Sequence, residues 1–254
     1  MHRLSRALWS EMHVGDDRLG QLLAPHVMQT GIGEWWVGTW PRPRASCLFV
    51  GGNLALQGTW TQPDVDFLSG LLREKLRSWD RIFLEMASEL EASVLPSLRP
   101  LQYWPRVVLH LASSGSRTSV ETKEFHRLDV ADTPALASLC EELHWVGDSW
   151  GGLEALAQSG RAWGAWCDGT LASIAAPGLV GAAVEDVFVG TEPAFRGRGL
   201  SPRCAQAVIA DIVARGKTAT WTTWPANSSS LRVAEKLGFR EVHEDHAWIA
   251  GHPL

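Results

Sequence analysis

The stretch Val184-Glu185-Asp186-Val187-Phe188-Val189-Gly190-Thr191-Glu192-Pro193-Ala194-Phe195-Arg196-Gly197-Arg198-Gly199-Leu200-Ser201 decides how this chain is read. Val184, Val187, Phe188 and Val189 are β-branched or aromatic and favour a strand. A Pro-containing turn and a glycine-rich loop follow. Then Leu200, Cys204, Val208 and Ile212 recur at helical spacing, with Ala205, Ile209 and Val213 beside them. Ser201 and Pro202 suit a helix start and Gly216 its end. A strand that feeds a helix through glycines aims backbone N–H groups at one spot, and the helix dipole adds partial positive charge there. Such a spot suits a phosphate, and Gly197 and Gly199 keep side chains out of its way.

Working outward, 254 residues allow one large or two ordinary domains, and 45% hydrophobic with 20% charged residues supports a packed core. A net charge of −5 with no basic run argues against nucleic acid as a partner. No secretory signal or membrane-length apolar run is read in the chain, so no membrane partner is expected and the expected location is cytoplasmic. Cys47, Cys140, Cys167 and Cys204 are far apart and form no metal-ligand pair, so they read as reduced thiols and no metal site is expected. His243 and His246 alternate with acidic residues without metal spacing. Most of the 14 tryptophans read as core.

In the N-terminal part, two amphipathic stretches lie around Leu4–Met12 and Leu19–Val27, and 31–43 reads as a loop with aromatic anchors. Gly51-Gly52-Asn53 reads as a hairpin turn between Ala45–Gly51 and Leu54–Gly58, ahead of a phosphate-loop reading, because no helix pattern follows directly. A helix from Gln62 towards Ser78, a strand Arg81–Glu85, a helix Ser88–Leu98 and a strand Val107–Leu111 complete a small α/β unit. The Ser/Gly/Thr-rich run 112–121 marks the expected boundary, giving domains 1–121 and 122–254. Beyond it come a strand Glu124–Leu128, a helix from Asp132-Thr133-Pro134 through Leu143, and a short helix Trp150–Gln158. Strands Ala162–Cys167 and Leu171–Ala176 join at Asp168-Gly169. After the opening stretch follow a strand Thr218–Trp224, a helix capped by Asn227 and closed by Gly238, and a strand pair Phe239–Val242 and Ala247–Ala250. The fold class is α/β (α+β), a C-terminal mixed sheet flanked by helices behind a smaller α/β domain.

Two glycine-loop chemistries fail. A dinucleotide fingerprint needs glycine where Pro202 stands, and a P-loop needs Lys-Ser/Thr where Leu200 follows Gly199. What remains is Arg-x-x-Gly-x-small, met by Arg196, Gly199 and Ser201, followed by Asn227 and by Lys236-Leu237-Gly238-Phe239. With the strand order, this pattern resembles the GNAT superfamily of acyl-CoA-dependent N-acetyltransferases over about residues 124–250. Residues 221–239 look more like its bacterial branch with zwittermicin-type resistance acetyltransferases. The resemblance implies that the backbone of Arg196, Gly197, Arg198, Gly199, Leu200 and Ser201 holds the pyrophosphate of acetyl-CoA. It further implies that Val189 and Thr191 backbone groups pair with the pantetheine arm and that Asn227 touches the cofactor.

The family's usual tyrosine on the last helix is here Ala234, and the only tyrosine is Tyr103, so a Tyr general acid is not expected. A protonated amine needs a proton acceptor before it can attack. Glu185 and Asp186 are candidates on opposite strand faces, and Glu185 matches the family's base position better. Ser230, one helical turn before Ala234, could serve the departing thiolate through a water, beside a helix-stabilising reading. His144, Trp145 and Trp150 are candidates to shape the acceptor pocket. The expected activity is direct acetyl transfer to the amine of a small molecule; the alternative is a non-catalytic acyl-CoA-binding module. The N-terminal domain reads as a degenerate copy of the same fold, an acceptor-specificity element or a homodimer surface. It has no second cofactor loop, so one cofactor site per chain is expected.

Overall fold

The computed structural model describes residues 1–12, 20–98, 100–112 and 121–252. Its elements fall into two runs. The first is β1 (His2–Arg3), α1 (Leu23–Thr30), β2 (Glu34–Val37), β3 (Ala45–Val50), β4 (Asn53–Gly58), α2 (Gln62–Lys75), β5 (Arg81–Glu85), α3 (Ser88–Leu98) and β6 (Gln102–Leu111). The second is β7 (Phe125–Arg127), α4 (Thr133–Ala137), α5 (Leu153–Gln158), β8 (Trp163–Cys167), β9 (Thr170–Val180), β10 (Val184–Thr191), α6 (Leu200–Ala214), β11 (Thr218–Thr223), α7 (Ser228–Lys236) and β12 (Phe239–Gly251). The expected boundary run falls largely on 113–120, outside the described residues.

Several local expectations change. The aromatic loop contains β2, because Trp35 and Trp36 pair with Leu48 and Cys47. The helix expected through Leu143 stops at Ala137, and a 3-10 helix over Glu141–Trp150 replaces its second half. The last strand pair is one strand, β12, with a register shift between Glu241 and His243 that absorbs the polar run. The core reading of the tryptophans holds for most of them: Trp9, Trp35, Trp36, Trp60, Trp150, Trp163 and Trp221 are buried, and Trp40, Trp79, Trp166 and Trp248 pack partly buried against the same cores. The two glycine hairpins hold, since Gly51, Gly52, Asp168 and Gly169 all take positive φ, as a primed turn requires.

The strands of the described residues form one sheet in the order β1-β2-β3-β4-β5-β12-β6-β11-β10-β9-β8-β7. Read outward from its centre, the order is a palindrome in which each strand of the first run has a counterpart in the second. The directions match too: β4–β5 and β10–β11 are the parallel pairs, and every other pairing is antiparallel. Each run gives its last strand to the other. β6 pairs with β11 and β12 with β5, and the two lie antiparallel side by side. The mixed α/β sheet thus contains the same supersecondary unit twice, with the end strands exchanged.

One sheet face carries α2 and α3 over a core of Leu54, Leu68, Leu72, Ile82, Leu84 and Val94. The same face carries α6 and α7 over Val107, Leu109, Val187, Val208, Ala219, Trp221 and Phe239. The opposite face is concave. There α1 packs on Trp35, Val37, Leu48 and Val50, and α4, α5 and the 3-10 segment pack on Leu171, Ile174 and Val180. The two ends meet across this face. His26 of α1 bonds the Ser149 carbonyl through Nε2 (2.9 Å) and accepts the Val180 N–H at Nδ1 (3.1 Å). A Cβ on Gly51 would lie 2.6 Å from the backbone of Asp148 and Ser149, so the β3–β4 hairpin tip touches the 3-10 segment too closely for a side chain. Burial pushes the His26 imidazole down to about 4, despite the favourable Ser149 bond.

Candidate active site

The decisive stretch folds as a strand, a loop and a helix. β10 ends at Thr191, a short 3-10 turn covers Pro193–Phe195, and α6 begins at Leu200. Gly197 and Gly199 are left-handed, with φ of 79° and 77°, and a Cβ on either would meet nothing within 4 Å. An L-residue with a branched side chain is strained there and would fill the space above the loop. No side chain caps α6, and its first turn holds no acidic residue. The first-turn N–H groups, which an α-helix leaves without internal acceptors, therefore stand at an open, exposed loop.

The loop is anchored from below. The hydroxyls of Ser173, Thr191 and Ser201 form a chain at 2.7 and 2.6 Å, and Arg196 Nε donates to the Thr191 carbonyl at 3.2 Å. The Ser201 hydroxyl and the Thr191 carbonyl are thus engaged within the chain, and Arg196 also pairs with Glu142 at 3.4 Å. Ser201 and Leu200 offer backbone N–H groups, while Arg196 and Thr191 act as braces. Arg198 lies over the Phe195 ring at 5.1 Å.

Parallel pairing of β10 with β11 runs only from Val184–Thr218 to Asp186–Thr220. Beyond Asp186, β10 keeps β9 as its partner and β11 keeps β6, so the two strands part in a V. One polar edge of the V is the backbone of Val187–Thr191, which includes Val189 and leads directly to the glycine loop. This arrangement fits a ligand with an amide-bearing arm and an anionic end, as the cofactor of the resemblance has: strand-edge groups for the amides, helix N–H groups for the phosphates.

At the apex of the V the two candidate carboxylates part company. Glu185 is fully buried on the α6 side and is held by Arg161 at 3.0 Å, Arg215 at 2.6 Å and Lys217 at 3.0 Å. Burial alone would raise its pKa, but bonds from Arg215 and Lys217 and the charge of Arg161 bring it below the ordinary value. A carboxylate so compensated is a weak proton acceptor and a strong structural clasp. The family-position reading of Glu185 therefore meets a residue already committed to three cations. Asp186 lies on the concave face. Its Oδ1 accepts the Thr220 hydroxyl at 2.8 Å and the Thr222 hydroxyl at 3.1 Å. Burial pushes its pKa up to about 6, against the pull of those hydroxyls and of Arg106.

The remaining expected residues fall near the V with other engagements. Asn227 caps α7, its side-chain oxygen accepting Ser230 N–H at 3.1 Å and the Ser229 hydroxyl at 2.8 Å. Ser230 Oγ accepts the Trp221 indole N–H at 2.8 Å, which fixes that ring in the core. Ala234 is buried in the α6–α7 core. Trp145 is exposed and packs on Phe188 of β10 at 5.4 Å, whereas Trp150 is buried with its indole on the Pro177 carbonyl at 2.8 Å. His144 bonds the Leu139 carbonyl at 2.8 Å. Tyr103 sits on the other sheet face beside His246 and Trp248.

Residues that the sequence reading did not single out complete the concave face. Arg106 of β6 forks onto Asp245 of β12 at 2.8 and 2.9 Å and also pairs with Glu85 of β5. With Asp186, Thr220 and Thr222 they make a polar row across five strands. Arg106 and Asp245 were not legible because they become neighbours only through the strand exchange. Arg106 is the one Arg, Lys, Asp or Glu of β6 and so carried some signal, whereas Asp245 sits in the polar run of β12 and carried none.

A sheet that parts in a V beside an uncapped, glycine-introduced helix is an architecture that acyltransferases use. The chain belongs to the GNAT acetyltransferase family, whose sequence model matches residues 21–248. It is an N-acetyltransferase-type enzyme by that membership. Over 194 residues it is 33% identical to a protein of Streptomyces virginiae named an uncharacterized N-acetyltransferase in the mutA 5′ region, covering 76% of this chain and 79% of that one. Among solved structures, a GCN5-related N-acetyltransferase-like protein from Streptococcus suis superposes with TM-score 0.62 at 15% identity, over 85% of this chain and 88% of that one. A tandem GNAT protein from the clavulanic acid biosynthesis pathway superposes with TM-score 0.58 at 10% identity, over 98% and 97%. The family match takes in both runs of the chain, a wider span than residues 124–250.

Proposed function

We propose that this chain moves an acetyl group from acetyl-CoA directly to the amine of a small molecule, with Asp186 taking the proton from the attacking amine. The observation that carries the reading is the position of Asp186: buried at the apex of the V, on the concave face, with a raised pKa. Its two hydroxyl donors both bond Oδ1, so the second carboxyl oxygen can carry the proton. A base with pKa near 6 is ionised at neutral pH yet still basic enough to matter.

Acetyl-CoA supplies an activated thioester acyl group. The residues that would hold it are the backbone of Gly197–Ser201 at its diphosphate and the β10 edge at Val189 along its arm. The Asn227 amide nitrogen would reach it from the head of α7. A β10 N–H next to the V is placed to stabilise negative charge on the acyl oxygen without a side chain. Ala234 and the engaged Ser230 leave the thiolate to depart without a side-chain acid; Ser230 serves Trp221 instead. The acceptor would enter from the concave face, past Trp145 and Phe188, in a reducing, cytoplasmic setting that suits four free thiols. A thiol-release assay with acetyl-CoA and an amine panel tests the reading. Turnover in the wild type with loss in Asp186→Asn supports it, and unchanged turnover in Asp186→Asn removes Asp186 from the mechanism.

A further inference from the structure

The palindromic sheet contains a second V, and its chemistry differs from the first. β4 pairs with β5 only from Asn53–Phe83 to Ala55–Glu85, after which the strands part as β10 and β11 do. A cavity of about 710 Å³ occupies this V, lined by the head of α1, the end of β4 and the start of α3. That volume suits a drug-sized ligand.

Two features decide what it can hold. The helix that follows β4 is α2, and its head is closed by its own side chain. Asp64 accepts the Thr61 N–H at 3.0 Å and the Thr61 hydroxyl at 2.6 Å, and Arg44 lies at 3.7 Å. Only Thr59, Trp60 and Thr61 separate β4 from α2, whereas eight residues separate β10 from α6. A carboxylate already seated at the helix head repels a phosphate and leaves no glycine cradle for one. At the apex, where the other V has Thr220, this one has Glu85. Its side chain is 90% buried and lines the cavity. Arg106 takes its Oε1, and among the described residues no hydrogen bond is made to Oε2. Glu89 also lines the cavity, and no lysine or arginine does among the described residues; Trp60, Leu56 and Leu90 supply apolar wall.

We infer that the N-terminal V is a binding site for a small primary ammonium with an apolar body, its cation on Glu85 and its body against Trp60 and Leu90, and that it does not take a nucleotide-bearing thioester. The site stands independently of the role of Asp186.

Calorimetric titration of the full chain with benzylamine, phenethylamine and tyramine, each paired with its neutral alcohol, tests this at neutral pH. The expected result is one site for at least one amine, with the alcohol at least tenfold weaker. Glu85→Gln should weaken the amine at least tenfold. Ser93→Phe, an exposed position on the cavity wall, should abolish binding without disturbing the buried row. Asp186→Asn and Gly199→Val should leave this binding unchanged. If Glu85→Gln does not fold, as judged by circular dichroism, Ser93→Phe decides. Absence of binding by all three amines overturns the inference, as does binding that survives Ser93→Phe or is displaced by CoA. Thioester cleavage on the same preparations reports the other V, so a failure there leaves amine binding here intact and is read separately.

Discussion

The heads of α2 and α6 occupy matching places after matching strands, yet one is shut and the other open. Thr61 and Asp64 close the first with a carboxylate, while Gly199 opens the second with a left-handed residue and no cap. The apices differ as well: Ala55 stands where the other V has Asp186, and Glu85 where it has Thr220. A shared backbone frame therefore does not fix what a cleft binds. Three or four side chains at the helix head and the apex decide it.

The most severe way to break the comparison is to separate the halves. Because β6 sits between β11 and β12, residues 122–254 alone lack the strand that joins their own sheet. That fragment should be insoluble or unfolded by circular dichroism and without transferase activity, whereas co-expression with 1–121 should restore both. Next in size, Asp186→Asn should lower kcat by about 10²–10⁴-fold with little change in CoA affinity, measured by thiol release and calorimetry. In the wild type, kcat/KM should rise with pH through about 6 as Asp186 ionises, and this limb should vanish in the variant. The sign for stability is opposite. An acid whose folded pKa is raised costs stability as pH climbs from 3.8 through about 6, at most about 3 kcal/mol. Asp186→Asn should therefore melt higher than wild type at pH 7.5 and no differently near pH 3.5.

Gly199→Val should weaken CoA by about 100-fold, the equivalent of about 3 kcal/mol of strain and blockage. The counterpart change at the closed head, Thr61→Ala, should cost about 1 kcal/mol of stability and leave CoA affinity alone. Smallest in its effect on turnover is Glu185→Gln. It should lower denaturant stability by about 2 kcal/mol, below the cost of breaking a fully buried pair because Arg161, Arg215 and Lys217 stay partly solvated. Its kcat should stay within about threefold of wild type if Asp186 is the base.

The sequence made the second run legible because its signals are local. A strand pattern running into Gly197 and Gly199, the Asn227 cap and the Gly238 stop each act over a few residues. The two glycine hairpins were legible for the same reason. The exchange of β6 and β12 was not, since strand periodicity says which face a residue takes and nothing about which strand lies beside it. That is why Arg106, Asp245 and Glu85 were passed over. For Glu185 and Asp186 the sequence offered only opposite strand faces and a family position that favours Glu185, because what packs on each face is not written in a strand pattern. Arg161 and Lys217, which claim Glu185, come from distant segments.

The exchanged strands also bear on how far the effect of a substitution spreads. Thr61 and Asp64 close the head of α2 with contacts made inside the first unit alone. β6, however, is at once the last strand of that unit and an inner wall beside Thr222 and Trp221. Substitutions in Trp104, Arg106 or Val108 are felt by the other unit's cleft. A change at the head of α2 therefore stays within the first unit, whereas a change in β6 reaches both.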